Sequence, residues 1–182
     1  WSPTAGSLPT DDRSGRARLI CTWRGRTVLS GLPSNPQNLY FSKINDALDW
    51  DYAPATQTAQ QAFSGNDSMS GSAPDIVTCL ISYNDDILIV GCDHTIWQIT
   101  GDPMNDGQWD NVSQTIGMVW GRPFAMDPSG QIYFMANHGS IYKMTPGSVP
   151  VRFSQKIDRR LETIDHAANL VTMAWDLNAR GL

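Results

Sequence analysis

Glutamate is nearly absent from this sequence of 182 residues, in which the single Glu162 stands beside 17 aspartates. Aspartate favours turns and caps whereas glutamate favours helix interiors, so the imbalance predicts many turns and few helices. The 15 glycines and 11 prolines indicate the same. A formal net charge of −5 argues against the basic surface that nucleic-acid binding requires.

Long apolar segments are also missing. No run of about 18 apolar residues occurs, and no basic stretch is followed by an apolar leader, so the sequence predicts neither a membrane span nor a signal peptide. The sequence begins at Trp1 rather than methionine, and its ending "VTMAWDLNARGL" falls where the pattern predicts a further strand. We therefore expect a piece of a longer polypeptide.

Cysteine is scarce and odd in number. Cys21, Cys79 and Cys92 lie in or beside apolar segments that are typical of strands, and their spacing does not match that of zinc ligands. The sequence therefore predicts three buried free thiols and no metal site.

Short β-prone runs separated by tight turns make up most of the chain. "RLICTWRGRTVLSG" predicts a hairpin that turns at Arg24-Gly25, and "NLYFS" follows as a third strand after a turn at "LPSNPQ". The blocks "DIVTCLISYNDDILIVGCDHTIWQITGDP" and "GRPFAMDPSGQIYFMANHGSIYKMTPG" each predict a three-stranded meander, and "NLVTMAWDLNARGL" starts another copy. Equivalent tight turns recur at a spacing of about 45–60 residues. They are Arg24-Gly25, Asn84–Asp86, Pro128–Gly130 and Asn178–Arg180.

This internal repeat predicts an all-β fold. Antiparallel meanders of three or four strands would form part of a β-propeller, because each sheet has a face that only a neighbouring sheet can cover. We expect a linker or arm at 1–17 and a partial propeller at 18–182. Residues 56–74, rich in serine, glycine and glutamine, are predicted to form a surface loop. The blade-like repeats are predicted at about 18–55, 75–101, 121–146 and 168–182, the last of them truncated.

One short helix is predicted between the third and fourth repeats. In "SQKIDRRLETIDHA", Ile157, Leu161 and Ile164 recur at the helical spacing, and Ser154 precedes them as a candidate cap. The charged residues of this segment would then lie on the solvent side. They are Asp158, Arg159, Arg160 and Glu162.

The segment "NDALDWDY" contains Asp46, Asp49, Trp50, Asp51 and Tyr52. Glycosidases need two carboxylates about 5–10 Å apart, and residues i and i+2 of a strand share a face at about 7 Å. A catalytic or metal-binding aspartate pair is therefore one interpretation. The segment lies between strands, however, where aspartates cap turns, and we favour a structural role in which Trp50 and Tyr52 pack inward.

A second acidic segment, "GDPMNDGQWDN", has a turn-forming glycine but neither the ligand order nor the late glutamate of a calcium loop. It is predicted to form turns through its aspartate and asparagine side chains. These are Asp102, Asn105, Asp106 and Asp110. Of the three histidines, His94 and His138 occupy equivalent points of two repeats, which indicates a role in turns, and His166 stands alone.

Motifs for nucleophilic catalysis or phosphate binding are not found. The sequence has no G-x-S-x-G elbow, no Gly-rich phosphate loop before a helix and no sialidase-like Asp box. We therefore predict no catalytic, cofactor-binding or metal-binding residues, no cofactor and no enzymatic activity.

Three blocks taken together resemble propeller-like virion proteins of tailed bacteriophages. They are "NLYFSKINDALDWDY", "DDILIVGCDHTIWQITGDP" and "GQIYFMANHGSIYKM", with the stretch from Ser113 to Gly117 between the last two. The family includes tail nozzles, tail tubes and head–tail stabilising collars, and the resemblance covers about residues 18–182.

The resemblance implies a structural virion protein of the tail or neck, made in the host cytoplasm. Copies of the chain would assemble with one another and with other virion proteins around a channel through which DNA is ejected. An acidic wall fits that role, because like charge keeps DNA from adhering. Two alternatives remain open on the same fold: a carbohydrate-acting depolymerase or glycosidase, and a cellular propeller that serves as a protein-binding platform.

Overall fold

The computed structural model describes residues 2–11, 15–65, 73–166 and 168–178. Within these ranges the chain is nearly all β, with antiparallel sheets and a single short helix, as the sequence predicted. No helix in the described ranges is long and apolar enough to cross a membrane.

Three antiparallel sheets of four strands follow one another along the chain. Their strands occur in sheet order as they do in sequence. The first sheet contains β2 (Leu19–Trp23), β3 (Arg26–Leu32), β4 (Asn35–Phe41) and β6 (Phe63–Ser64). The second contains β7 (Val77–Ser82), β8 (Ile87–Cys92), β9 (Ile96–Asp102) and β10 (Asn105–Ser113). The third contains β12 (Phe124–Met126), β13 (Ile132–Met135), β14 (Ile141–Met144) and β15 (Val151–Arg152).

Two short parallel pairs connect distant parts of the chain. Strand β1 (Ala5–Gly6) pairs with β5 (Asp49–Trp50), and β11 (Gly121–Arg122) pairs with β16 (Val171–Thr172). The first pair ties the N-terminal segment to the exit of the first sheet. The second ties the start of the fourth predicted repeat to the start of the third.

The first turn of each sheet is formed by the predicted residues. Arg24 and Gly25 have φ angles of 51° and 68°, the left-handed pair that a two-residue hairpin turn requires. In the second sheet, the Asn84 side chain accepts hydrogen bonds from the backbone N–H groups of Asp86 and Ile87. The turn predicted at 178–180 lies mostly outside the described residues.

The second sheet is buried on both faces. Its strands alternate, as a pleated sheet requires, so that Leu88 and Val90 pack against the first sheet while Ile89 packs against the third. One apolar cluster therefore joins the first and second sheets, and a separate cluster joins the second and third. Turns also make contact across both junctions: Trp23 Nε1 donates to the Asn84 carbonyl oxygen at 3.0 Å, and Asn137 Nδ2 donates to the Asp93 carbonyl oxygen at 2.6 Å.

The fourth strand of each sheet lies outside the boundaries predicted for the repeats. Strand β6 falls within the predicted loop 56–74 and pairs with β4. The prediction that this whole segment is a loop is therefore wrong. Residues 66–72 of the segment lie outside the described residues. The turn predicted at "LPSNPQ" is also shorter than expected, because β4 begins at Asn35.

The helix, α1, covers only Asp158–Leu161. Ser154 does not cap the helix. Its backbone N–H and its hydroxyl group instead form hydrogen bonds with the backbone of Ile141, and the hydroxyl accepts from the Ile141 N–H at 2.8 Å. The prediction that Asp158 lies on the solvent side is wrong, because this carboxylate is buried, accepts from the Ser154 hydroxyl and is paired with Arg152 at 2.6 Å. Ile157 and Ile164, predicted as its apolar side, are exposed.

The two outermost faces of the stack differ. The outer face of the first sheet carries Leu29 and Tyr40. These side chains are covered by Trp50 and by Leu8 of the N-terminal segment. The outer face of the third sheet carries Tyr133, which packs against Phe153 and Trp175. Val151 and Phe153 on that face remain 58% and 52% exposed. The first sheet is thus capped by its own chain, whereas the third is only partly covered.

Candidate functional site

The aspartates of the segment 46–51 are bound to the backbone. Oδ1 of Asp46 accepts from the Leu48 N–H at 3.0 Å, and Oδ1 of Asp49 accepts from the Asp51 N–H at 3.1 Å. Oδ1 of Asp51 accepts from the Ala53 N–H, also at 3.1 Å. Each carboxylate therefore stabilises a local turn two residues ahead of it, which is the role that the position between strands predicted.

The aromatic side chains of the same segment anchor it. Trp50 is fully buried against the outer face of the first sheet, and its indole N–H donates to the Ala47 carbonyl oxygen at 3.0 Å. Tyr52 packs beside it, with its ring 6.5 Å from that of Tyr40, and burial raises the pKa of Tyr52. The inward packing predicted for both rings is confirmed.

A second interaction fixes the half-buried Asp49. Its Oδ2 atom lies 3.2 Å from Nζ of Lys43, so one oxygen binds an amide and the other an ammonium group. A catalytic nucleophile needs an oxygen that is open to the substrate, whereas both oxygens of this carboxylate already have partners. The geometry suits a corner of the chain better than an acid/base pair.

The second acidic segment forms the β9–β10 hairpin. Oδ1 of Asp102 accepts from the Met104 N–H and its Oδ2 accepts from the Asn105 side chain, both at 3.1 Å. Asp102 and Asn105 thus make the predicted turn contacts, whereas Asp106 and Asp110 lie within strand β10, so a loop throughout this segment was the wrong prediction. Among the described residues, no group of three or more His, Cys, Asp or Glu side chains is placed to hold a metal ion.

The equivalent histidines lie in equivalent turns. His94 follows β8, and its backbone N–H donates to Asp75 Oδ2 at 2.7 Å. His138 follows β13, and its Nε2 atom lies 3.1 Å from the Tyr142 hydroxyl. Both rings are exposed, whereas His166 is partly buried and its Nε2 atom lies beside Gly139, the residue that follows His138.

The cysteines are free thiols, as predicted. Cys79 and Cys92 are fully buried, whereas Cys21 is partly buried. Burial raises the pKa of Cys21 and of Cys92 to about 12, and it raises that of Cys79 as well. A nucleophilic cysteine requires the opposite shift, so these groups are inert parts of the core.

Sequence reasoning did not find a groove that we call the inner cleft. It lies where the first strands of the three sheets, β2, β7 and β12, come together, and its volume is about 760 Å³. Two of its lining residues, Arg18 and Arg122, come just before the first strands of the first and third sheets. This equivalent position of two arginines in two repeats was the sequence feature that could have indicated the groove. Its lining comprises Arg18, Leu19, Ile20, Cys21, Thr22, Leu80, Ser82, Trp120, Gly121, Arg122, Phe124, Met126 and Leu170.

Three surfaces thus compete as the functional site: the aspartate segment, the inner cleft and the outer face of the third sheet. The first is closed by its own hydrogen bonds, whereas the other two are open to partners. No protein-family model matches the chain, and no curated protein matches it either.

Proposed function

We propose that this chain is a non-enzymatic structural component of the tail or neck of a tailed bacteriophage, in which its sheets form part of a β-propeller and several copies surround a channel. The observation that carries the proposal is the stacking of successive four-stranded sheets, in which the second sheet buries both faces and the third offers an apolar face for another.

The segment after the helix supports a further sheet in the same stack. The sequence Met173–Asp176, "MAWD", is similar to Phe124–Asp127, "FAMD", which contains the first strand of the third sheet. The Asp127 carboxylate accepts from the Ser129 N–H at 2.8 Å, and the Asp176 carboxylate accepts from the Asn178 N–H at the same distance. The fourth copy therefore begins with the same turn chemistry as the third.

This segment already lies on the outer face of the third sheet. The ring of Trp175 stacks on that of Tyr133, with centroids 5.3 Å apart and planes inclined by 27°. The Met173 N–H points to the Arg122 carbonyl oxygen at 3.4 Å, beside the β11–β16 pair. A blade that began here would bury Val151 and Phe153, just as the second sheet buries the residues of the first.

The hydrogen bonds of the acidic side chains support a non-catalytic role. Asp46, Asp49 and Asp51 stabilise turns, and Asp102 stabilises the tip of a hairpin. A glycosidase would need two of these carboxylates facing a sugar from opposite sides. The formal net charge of −5 fits a channel wall or an outer surface that does not retain DNA.

Electron microscopy tests the location and the assembly. Antibodies raised against the purified protein and detected with gold should label the tail or neck of phage particles from the same source. Class averages of the purified protein, or of a longer polypeptide that contains it, should show rings. Gold confined to host structures, together with particles that carry no label, would overturn the virion assignment.

Two pairs of variants separate assembly from catalysis. Val151→Asp with Phe153→Asp places charge on the outer face of the third sheet and should abolish ring formation. Val149→Asp, at an exposed position between β14 and β15, should leave it intact. Asp49→Asn with Asp51→Asn keeps the turn acceptors and should change neither assembly nor any glycan turnover. Loss of glycan cleavage with normal assembly would instead favour the depolymerase.

A further inference from the structure

We propose that the inner cleft binds an extended, acidic peptide segment of a partner protein, held by Arg18 and Arg122. The ligand would lie on a surface where the three sheets meet. A cellular propeller would use this groove in the same way as a virion protein.

The cleft carries positive charge. Arg18 and Arg122 are the only charged residues among its described lining residues, although the chain as a whole carries a net charge of −5. Both side chains are exposed, and neither forms an ion pair within the described ranges of the chain. The Arg122 guanidinium lies over the Phe124 ring at 5.7 Å, which holds it at the rim of the groove. Two positive groups thus face one groove without a carboxylate among its described lining residues.

Arginine determines the chemistry of the ligand. Its planar guanidinium binds carboxylates through two parallel hydrogen bonds, and such pairs gain strength where water is partly excluded. Thr22 and Ser82 line the same groove, and each carries a hydroxyl group for a further polar contact. A ligand with two carboxylates along an extended chain satisfies both arginines at once.

Apolar side chains line the same groove as the two arginines. Ile20 is 61% exposed and Leu170 is 69% exposed, and the partly exposed side chains of Trp120 and Met126 lie in the same groove. Exposed apolar patches of this kind mark sites where a partner buries its own apolar side chains. A peptide that alternates acidic and apolar residues matches both components.

Two strand edges lie in the region of the cleft. Strands β2 and β12 each pair with a single neighbour in their sheets, and each contributes an exposed residue to the cleft, Ile20 and Met126. An edge strand leaves N–H and C=O groups free to bind an extended peptide by strand addition. A peptide main chain offers these groups in the required order, whereas a nucleic acid does not.

Nucleic acid fits the cleft less well. Binding of DNA rests on many phosphate contacts, whereas the described lining residues of the groove include only two cationic groups, in a chain that is acidic overall. The apolar residues Ile20, Leu170 and Met126 would also meet a charged sugar–phosphate backbone. Charge and apolarity together therefore favour the peptide.

Fluorescence polarisation with a defined set of probes tests the proposal. The probes are fluorescein-labelled nonapeptides in which two aspartates, separated by one to five residues, flank leucines; the matched control set has asparagine in place of aspartate. A labelled single-stranded DNA of about 20 nucleotides and the corresponding duplex form the nucleic-acid arm. We expect at least one spacing to bind at least tenfold more tightly than its asparagine counterpart, and to weaken as salt rises.

Matched variants locate the site. Arg18→Gln with Arg122→Gln should weaken the best peptide at least tenfold, while Arg159→Gln with Arg160→Gln removes the same charge from the helix and should leave binding unchanged. Circular dichroism establishes that both proteins are folded. Equal binding of aspartate and asparagine peptides, an equal loss in both variants, or binding of DNA alone would each overturn the proposal.

Discussion

The guanidinium of Arg26 donates a hydrogen bond to the carbonyl oxygen of Gln61 across 2.6 Å, although the two residues are 35 positions apart. The same group donates to the carbonyl oxygens of Ser42 at 2.7 Å and Ala59 at 3.0 Å. It also lies 5.0 Å from the centroid of the Phe63 ring. A single buried cation thus fastens the segment after β4 to the first sheet, and β6 follows directly from that attachment.

Replacing Arg26 by methionine should destabilise the protein strongly. The side chain is only 3% exposed, so its loss leaves several carbonyl oxygens buried without donors, each at a cost of about 1–3 kcal/mol. We expect a fall of at least about 3 kcal/mol in the free energy of unfolding, measured by urea denaturation. Arg24→Gln is the control, since Arg24 is partly exposed and its ion pair with Asp86 contributes less than about 1 kcal/mol. Equal losses in the two variants would contradict this role for Arg26.

The aspartates of the segment 46–51 should tolerate asparagine but not alanine. Asparagine retains the oxygen that accepts from the backbone, so Asp46→Asn should change the unfolding free energy by less than about 0.5 kcal/mol. Asp46→Ala removes the acceptor and should cost about 1 kcal/mol. Paired urea titrations of the two variants measure the difference. Similar losses in both would show that the negative charge, and not the turn geometry, stabilises the segment.

Two kinds of element were predictable from the sequence. They are the strands whose apolar residues alternate and the turns that contain strongly turn-forming residues. Leu88 to Val90 alternate between two buried faces, and Arg24-Gly25 adopts the conformation that a hairpin turn selects. The role of the Asp46–Asp51 segment followed for the same reason, because an aspartate between strands has backbone N–H groups within reach.

The fourth strands were not predictable, because their residues do not look like strand formers. Strand β10 has the polar sequence "NDGQWDNVS" and lies at the edge of its sheet, where solvent covers one side. Strands β6 and β15 have two residues each and exist because longer strands template them. The position of β6 further depends on Arg26, whose contacts lie more than 30 residues away in sequence.

The helix shows how tertiary contacts override a local pattern. Ile157, Leu161 and Ile164 have the helical spacing, but the contacts of Asp158 with Arg152 and Ser154 determine the geometry around Asp158–Leu161. An ion pair between residues of different segments leaves no trace in the spacing of apolar residues. The inner cleft was missed for a similar reason, since Arg18 and Arg122 come together only when the sheets stack.

Two neighbouring residues of β8 should both be essential for stability, although their side chains lie on opposite faces of the second sheet. Ile89 packs toward the third sheet and Val90 toward the first, and both are fully buried. Ile89→Ala should cost about 2–5 kcal/mol, and Val90→Ala somewhat less because fewer atoms are removed. Ile20→Ala, at an exposed position in β2, should cost less than about 1 kcal/mol. Chemical denaturation measures all three, and a negligible loss from either β8 variant would contradict the stacking of three sheets.

Alkaline pH should destabilise the protein through its buried thiols. Burial raises the pKa of the Cys92 thiol from 9.0 to about 12, so between these values the unfolded chain loses a proton that the folded chain retains. Since the unfolded state then binds fewer protons, the free energy of unfolding falls with rising pH, by up to about 1.4 kcal/mol per pH unit for each thiol.

Cys92→Ala isolates this contribution of Cys92. The variant should be less stable at pH 8, because it leaves a small cavity, but its unfolding free energy should fall less steeply between pH 9 and 11. Urea denaturation of both proteins in a reducing buffer gives the two slopes, and their difference cancels the titration of lysine and tyrosine. Parallel slopes would contradict this contribution, because they would mean that Cys92 ionises in the folded protein as readily as in the unfolded chain. We expect different slopes, since Cys92 is completely buried in the apolar cluster between the first and second sheets, and burial disfavours the thiolate.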